Sequence, residues 1–206
     1  MASTPTPYGF KAVNELGGLP YAGSTRMFPI ASAYGANIYN GSIVSIVAGG
    51  TIQIVTTNGD PISGAAFPAG TIGVFVGCSF TNPTTKQKQF SQYWPTGTVA
   101  SDAIAYVVDD DRAVFQVQSA GTVTQAALGA NVYLNAVQST STGSTTTGNS
   151  NTAVVAGSSA ATTSGYAFRV VGFADVPGFS AVGDAYTDIL VKFNPGAHSY
   201  SNATGI

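Results

Sequence analysis

The sequence predicts an all-β protein: a barrel or sandwich of short antiparallel strands with negligible helix, preceded by an extended arm rich in proline and glycine. Three observations predict it. Short runs rich in Val, Ile, Tyr and Phe recur along the chain, separated by clusters of Gly, Pro, Asn and Asp. No apolar pattern of helical period persists. The opening stretch is punctuated by Pro5, Pro7, Gly9, Gly17, Gly18, Pro20, Gly23 and Pro29. Proline removes a backbone donor and restricts the residue before it, so this segment suits neither a helix nor an inner strand.

The elements follow in order. Residues 1–30 read as the arm, and Tyr8, Phe10, Leu16, Leu19, Tyr21, Met27 and Phe28 give it apolar anchors for docking on its own barrel or on a partner. Residues 31–120 read as the β core. Strands are expected at Ala36–Tyr39, Ser42–Val47 and Thr51–Thr56, with Gly49-Gly50 as a hairpin turn between the last two. Asn58-Gly-Asp-Pro61 is a second turn, and Thr71–Phe80 an apolar strand. Thr81–Lys88 reads as a hairpin tip, followed by Phe90–Pro95, a strand at Ile104–Val108, a hairpin turn at Asp109–Asp111 and an alternating strand at Ala113–Gln118. Residues 121–206 read as a C-terminal β region that could belong to the same barrel. Thr124–Ala130 is the only stretch suited to a helical turn, stopped by Gly129. Ser139–Ser150 and Gly157–Gly165 are Ser/Thr/Gly-rich tracts expected as exposed loops over 139–165, around Ala153–Ala156. Strand character returns at Asn131–Leu134, Tyr166–Phe173 and Thr187–Phe193, the last two separated by a loop containing Pro177-Gly178.

Composition narrows function. The chain has 206 residues, long enough to bury a sizeable core. Charged residues are 8%, against roughly a quarter in an ordinary domain, and the runs Met27–Gly59 and Ala113–Phe168 contain no Asp, Glu, Lys, Arg or His. With 11 Phe, 10 Tyr and a mean hydropathy of +0.21 it should nonetheless fold. Seven basic and nine acidic residues give a net charge of −2, which offers no field for nucleic acid or an anionic membrane. Cys78 is the sole cysteine, so an intrachain disulfide and a cysteine-based metal site are both excluded, and its apolar surroundings suit a small buried hydrophobe. The start resembles no signal peptide and no window is apolar enough for a spanning helix, so a cytoplasmically made, soluble chain is expected.

Candidate chemistry is sparse. Asp109-Asp110-Asp111 could attract Ca²⁺, but consecutive turn residues rarely converge on one ion, and a solvated turn fits better. Asp184 and Asp188 flank Tyr186 and could pair with Lys192, as a structural or intersubunit ion pair. No pair of acids is singled out for glycoside hydrolysis. The one histidine, His198, sits in a Gly/Ser/Asn-rich tail, a poor place for an oriented base. Neither nucleophile elbow, zinc motif nor phosphate loop is found. No catalytic residue, metal site or cofactor is expected, and an enzyme is disfavoured. Phe90, Tyr93 and Trp94 form an aromatic group beside Pro95 that could anchor the core, an interface or a sugar ring.

Several phrases then fall in a telling order: Ile30–Tyr34 into Asn40–Val44, Ile72–Phe80 into Phe90–Pro95, Ile104–Asp111 with Ala113–Gln118, and Thr187–Val191. This order resembles the capsid decoration, or cement, proteins of tailed double-stranded DNA bacteriophages, over most of residues 20–193. The resemblance implies a non-enzymatic virion protein, made in the host bacterial cytoplasm, that binds the outer capsid surface. It implies a homotrimer whose partner is the major capsid protein, and an arm that adds a strand to the shell. On that reading Thr4, Pro5, Thr6, Pro7, Tyr8 and Phe10 contact the capsid, and the two uncharged runs meet neighbouring subunits. An alternative is a carbohydrate-binding or adhesive virion module using Tyr93 and Trp94.

Overall fold

The computed structural model describes residues 4–175 and 179–206 and places thirteen strands in them. In order these are β1 (Lys11–Glu15), β2 (Arg26–Pro29), β3 (Ile38–Tyr39), β4 (Ile43–Ile46), β5 (Ile52–Ile54), β6 (Thr71–Thr81) and β7 (Lys88–Ser91). There follow β8 (Tyr93–Trp94), β9 (Ile104–Val108), β10 (Ala113–Gln118), β11 (Asn131–Val132), β12 (Phe168–Phe173) and β13 (Asp188–Phe193). Helical content among the described residues is three single 3₁₀ turns. Gln125–Ala127 is the expected one; Gly157–Ser159 and Ser199–Ser201 are additional. The chain is all-β, and its strand ladders are antiparallel. The expected loop at Pro177-Gly178 lies outside the described residues.

Two sheets carry the architecture. The first has the order β2-β9-β6-β4-β5, with β7 pairing the far half of β6. A parallel bridge between Ile30 and Ile52 joins its two outer strands, curling it into a small barrel. The second sheet has the order β1-β10-β13-β12-β11. The C-terminal strands thus form a facing sheet instead of entering the barrel, and β10 joins them, so residue 120 is no layer boundary. The Asp109–Asp111 turn passes from one sheet to the other, which corrects the hairpin expected there.

Strand alternation builds two cores. Val44, Ile52, Ile54, Ile72, Phe75, Ala105 and Val107 belong to the core inside the barrel, plugged by Ile38 and Trp94 of the β3–β8 ribbon. The barrel's outer side chains Ile43, Val74 and Val108 pack instead with Phe115, Val117, Phe168, Val170, Ile189 and Val191 of the second sheet. β6 therefore serves both cores. Gly73 lets it do so: at φ +142°, a Cβ there would lie 2.0 Å from the Val108 carbonyl oxygen.

The N-terminal segment is laid along its own body. Phe10 is 1% exposed, its ring 4.9 Å from that of Phe168 in a stacked arrangement, and its N–H donates to the Gly41 carbonyl at 3.0 Å. β1 pairs with β10 and β2 with β9, each at a sheet edge, where proline is tolerated. The sequence pattern did not single out these two strands.

The Ser/Thr/Gly tract departs from its expectation. Its tip at 144–147 is exposed, but its roots are bound. Asn40 N–H donates to Gly148 O (2.9 Å) and Ser150 N–H to Asn40 O (2.8 Å). Val154 is fully buried and bridges both Ser119 and Leu134. Immediately before the tract, buried Gln138 acts as a one-residue strand: its Oε1 accepts from Ile43 N–H (2.8 Å), and its Nε2 donates to the carbonyls of Ile43 and Val55 (both 3.1 Å). Val55 N–H also donates directly to Ile43 O (3.0 Å), so the carboxamide caps the end of the β4–β5 pairing and takes up the Ile43 N–H and Val55 carbonyl that it leaves over.

Gln138→Ala should lower stability by about 3 kcal/mol, because it strands buried backbone groups of Ile43 and Val55. Urea unfolding monitored by tryptophan fluorescence checks this; a loss under about 0.5 kcal/mol would show that the pairing carries little weight.

Candidate interaction surface

The aromatic group read from the sequence does not form one surface. Trp94 is 0% exposed, edge-on to Phe80 with ring centroids 5.3 Å apart, and cannot stack on a sugar. Tyr93 is half-buried and stacks on Tyr39 at 5.7 Å. Phe90 alone stands out, 77% exposed on β7. The cause is the strand period: Trp94 and Tyr93 point to opposite sides of the two-residue β8, and the inward side is the barrel plug.

The proposed arm is divided as well. Phe10 is a core residue and unavailable to a partner, which corrects its expected role. Thr4, Pro5 and Thr6 are exposed, whereas Pro7 and Tyr8 are half-buried. Gln118 holds the segment with a second carboxamide clamp, accepting from Thr6 N–H (2.9 Å) and donating to Thr4 O (3.2 Å). The Tyr8 phenol lies by Asp188 and Gln116 with Lys11 Nζ 4.2 Å from its ring centroid. Burial, then the nearby Asp188 charge, pushes its pKa well above the usual phenol range.

Exposed apolar residues converge elsewhere. Cross-strand partners on an antiparallel sheet share a face, and the register on the barrel's outer side runs Met27–Tyr106–Gly77 and Pro29–Ile104–Ser79–Phe90. Met27 is 69% exposed, Pro29 is exposed, and Ile104 and Tyr106 are half-buried. Along β9 the same outward positions lead from Val108, beneath the second sheet, to Tyr106 and Ile104 in the open. The barrel's apolar outer side is thus larger than the sheet that covers it. Ion pairs flank this strip: Arg26 with Asp109 (2.8 Å) and Lys88 with Asp102 (2.9 Å). Hydrogen bonds from Lys88, and from Thr81 N–H and hydroxyl, hold the Asp102 carboxyl well below the usual range.

The aspartates singled out in the sequence have structural partners. Asp109 also accepts from Tyr200 Oη (2.8 Å), Asp110 from Arg112 N–H (2.8 Å) and Asp111 from Ser201 Oγ (3.1 Å), so the triple turn diverges instead of enclosing an ion. Asp184 accepts from Ala181 N–H (3.0 Å), and Asp188 accepts from Gln116 Nε2 (3.3 Å). Among the described residues neither acid forms an ion pair with Lys192 within the chain; Asp188 and Lys192, four apart on one strand, are too far separated. Among the described residues no helix is long and apolar enough to cross a membrane. Comparison with protein-family models, curated proteins and solved structures found no match.

Two buried groups give direct tests. Burial pushes the Cys78 thiol up to about 12, so it stays protonated inside the barrel. A disulfide reagent should find one reactive thiol in denaturant and none in the native protein; rapid native labelling would contradict this burial. His198 is 1% exposed between Phe193 and Tyr200, and burial lowers its pKa from the ordinary 6.5. The unfolded chain then takes up the proton first on acidification. The stability from neutral His198 is present above about pH 6.5 and lost as pH falls below it. Melting temperature should drop between about pH 7 and 5, and His198→Gln should flatten that slope; an unchanged slope would acquit the histidine.

Proposed function

We propose that this protein is a non-enzymatic structural component of a bacteriophage virion. It binds the outer surface of the head, as a homotrimer, and clamps neighbouring major capsid proteins against internal pressure. The order of sequence phrases supports this reading, and the observation that carries it is the open apolar strip of Met27, Pro29, Ile104, Tyr106 and Phe90. Such a face can be buried against a shell without the desolvation cost of unpaired charges. β2, at the sheet edge beside it, offers main-chain groups for strand addition. Repetition over a symmetric shell multiplies modest contacts into avidity. The contact is assigned to the strip and to the exposed residues Thr4, Pro5 and Thr6, while Phe10 serves the core.

The test is binding of purified protein to phage heads that lack it. Met27→Asp and Phe90→Asp should each reduce affinity by about tenfold or more with little change in melting temperature, since both side chains are exposed. Equal binding by both variants would remove the strip as the contact. Absence of wild-type binding to any head would overturn the function. Deleting residues 1–7 should lower occupancy on a folded protein, whereas deletion through residue 20 should unfold it by removing Phe10 and β1 from the core.

A further inference from the structure

A groove of about 350 Å³ opens between the N-terminal segment and the loops around residues 135–142 and 151–153. Pro5, Pro7 and Tyr186 give it apolar walls, buried Gln118 and Ser119 its floor. Asn135 and Asn151 stand exposed at its rim. No carboxylate, ammonium, guanidinium or imidazole group is among its lining residues.

Much of the backbone around the groove is already paired. Ser119 N–H donates to Thr187 O (3.0 Å), Ala120 N–H to Val154 O (2.8 Å), and Val154 N–H to Gln118 O (3.1 Å). Asn135 N–H donates to Ala153 O (2.9 Å) and Asn151 N–H to Thr142 O (3.1 Å). These groups are closed to an extended peptide. Recognition falls instead to side-chain amides, hydroxyls and flat apolar walls. A carboxamide sets a donor beside an acceptor, matching a pair of adjacent hydroxyls. Tyrosine and proline rings offer faces for the C–H side of a sugar ring. The absence of charge suits a neutral ligand, and the volume lies at the small end of ligand pockets.

We infer that this groove binds a neutral saccharide of one or two rings, held by the Asn135 and Asn151 amides against Tyr186 and the prolines. It shares no residue with the Met27–Phe90 strip and only Pro5 with the proposed head contact, and it does not rest on head binding because sugar binding is read on the free protein. It also moves sugar recognition away from Tyr93 and Trp94.

The test titrates the full-length protein with glucose, galactose, mannose, N-acetylglucosamine, maltose and lactose, using saturation-transfer NMR and calorimetry. At least one should bind saturably, with a Kd on the order of millimolar or tighter. Asn135→Ala and Asn151→Ala should each weaken that binding at least about fivefold at unchanged melting temperature. Trp94→Ala binding data then serve as a contrast, since a fold defect would appear in the melt. Absence of saturable binding by all six sugars at about 50 mM would overturn the inference. So would binding indifferent to the double Asn variant, or binding of a neutral proline-rich peptide in place of any sugar.

Discussion

Everything in this fold hangs on the double burial of β6. It is paired on one edge by β9 and on the other by β4 and then β7, and it presents apolar side chains to a core on each side. A strand so placed has no solvated face, and its sequence reads as a nearly continuous apolar run rather than an alternating one. The backbone has to yield somewhere. It does so at Gly73, pressed against the Val108 carbonyl, and at an irregularity in the β9 pairing between Phe75 and Gly77. Those adjustments let one strand line a barrel interior and also support the facing sheet.

The same demand accounts for much of the low charge. Both uncharged runs supply core residues: Ile38, Ile43, Val44 and Ile54 from one, Phe115, Val117, Leu134 and Val154 from the other. Where polar groups enter this interior they are, apart from Asp60 and His198, carboxamides and hydroxyls, whose desolvation costs less than that of an ion. Gln138 and Gln118 are the clearest cases. Charge is placed at the margins, as in the Arg26–Asp109–Tyr200 contact that ties β2, the inter-sheet turn and the C-terminal tail together.

The fold class and most strands were legible because β-branched runs and their turns are local signals. Gly49-Gly50 does close the β4–β5 hairpin, with Gly50 N–H donating to Val47 O. β1 and β2 were hidden because edge strands need only one partner and tolerate proline, so they lack the usual apolar signature. The fate of Trp94 was equally hidden: an aromatic next to proline has the same sequence whether it plugs a barrel or faces solvent. The apolar strip could not be read at all, since it draws on four strands whose register only the tertiary fold defines. Phe10 is instructive in a different way. Its apolar character marked it as an anchor, but only the partner rings of Phe168 and Phe115 decide that the anchorage is internal.

The carboxamide clamps have an evolutionary consequence. A regular ladder fixes many residues in sequence, so inserting one residue shifts all that follow. A single glutamine that borrows the role of a strand fixes only one point. Beyond Gln138 the chain is held at Thr140 by Asn37 and Tyr39 and caught again at Gly148 and Ser150, and between those points it is free to lengthen or shorten. Segments of this kind accommodate length variation between descendants of one ancestor while the two cores stay unchanged, and it is there, at the 144–147 tip, that divergence should accumulate fastest.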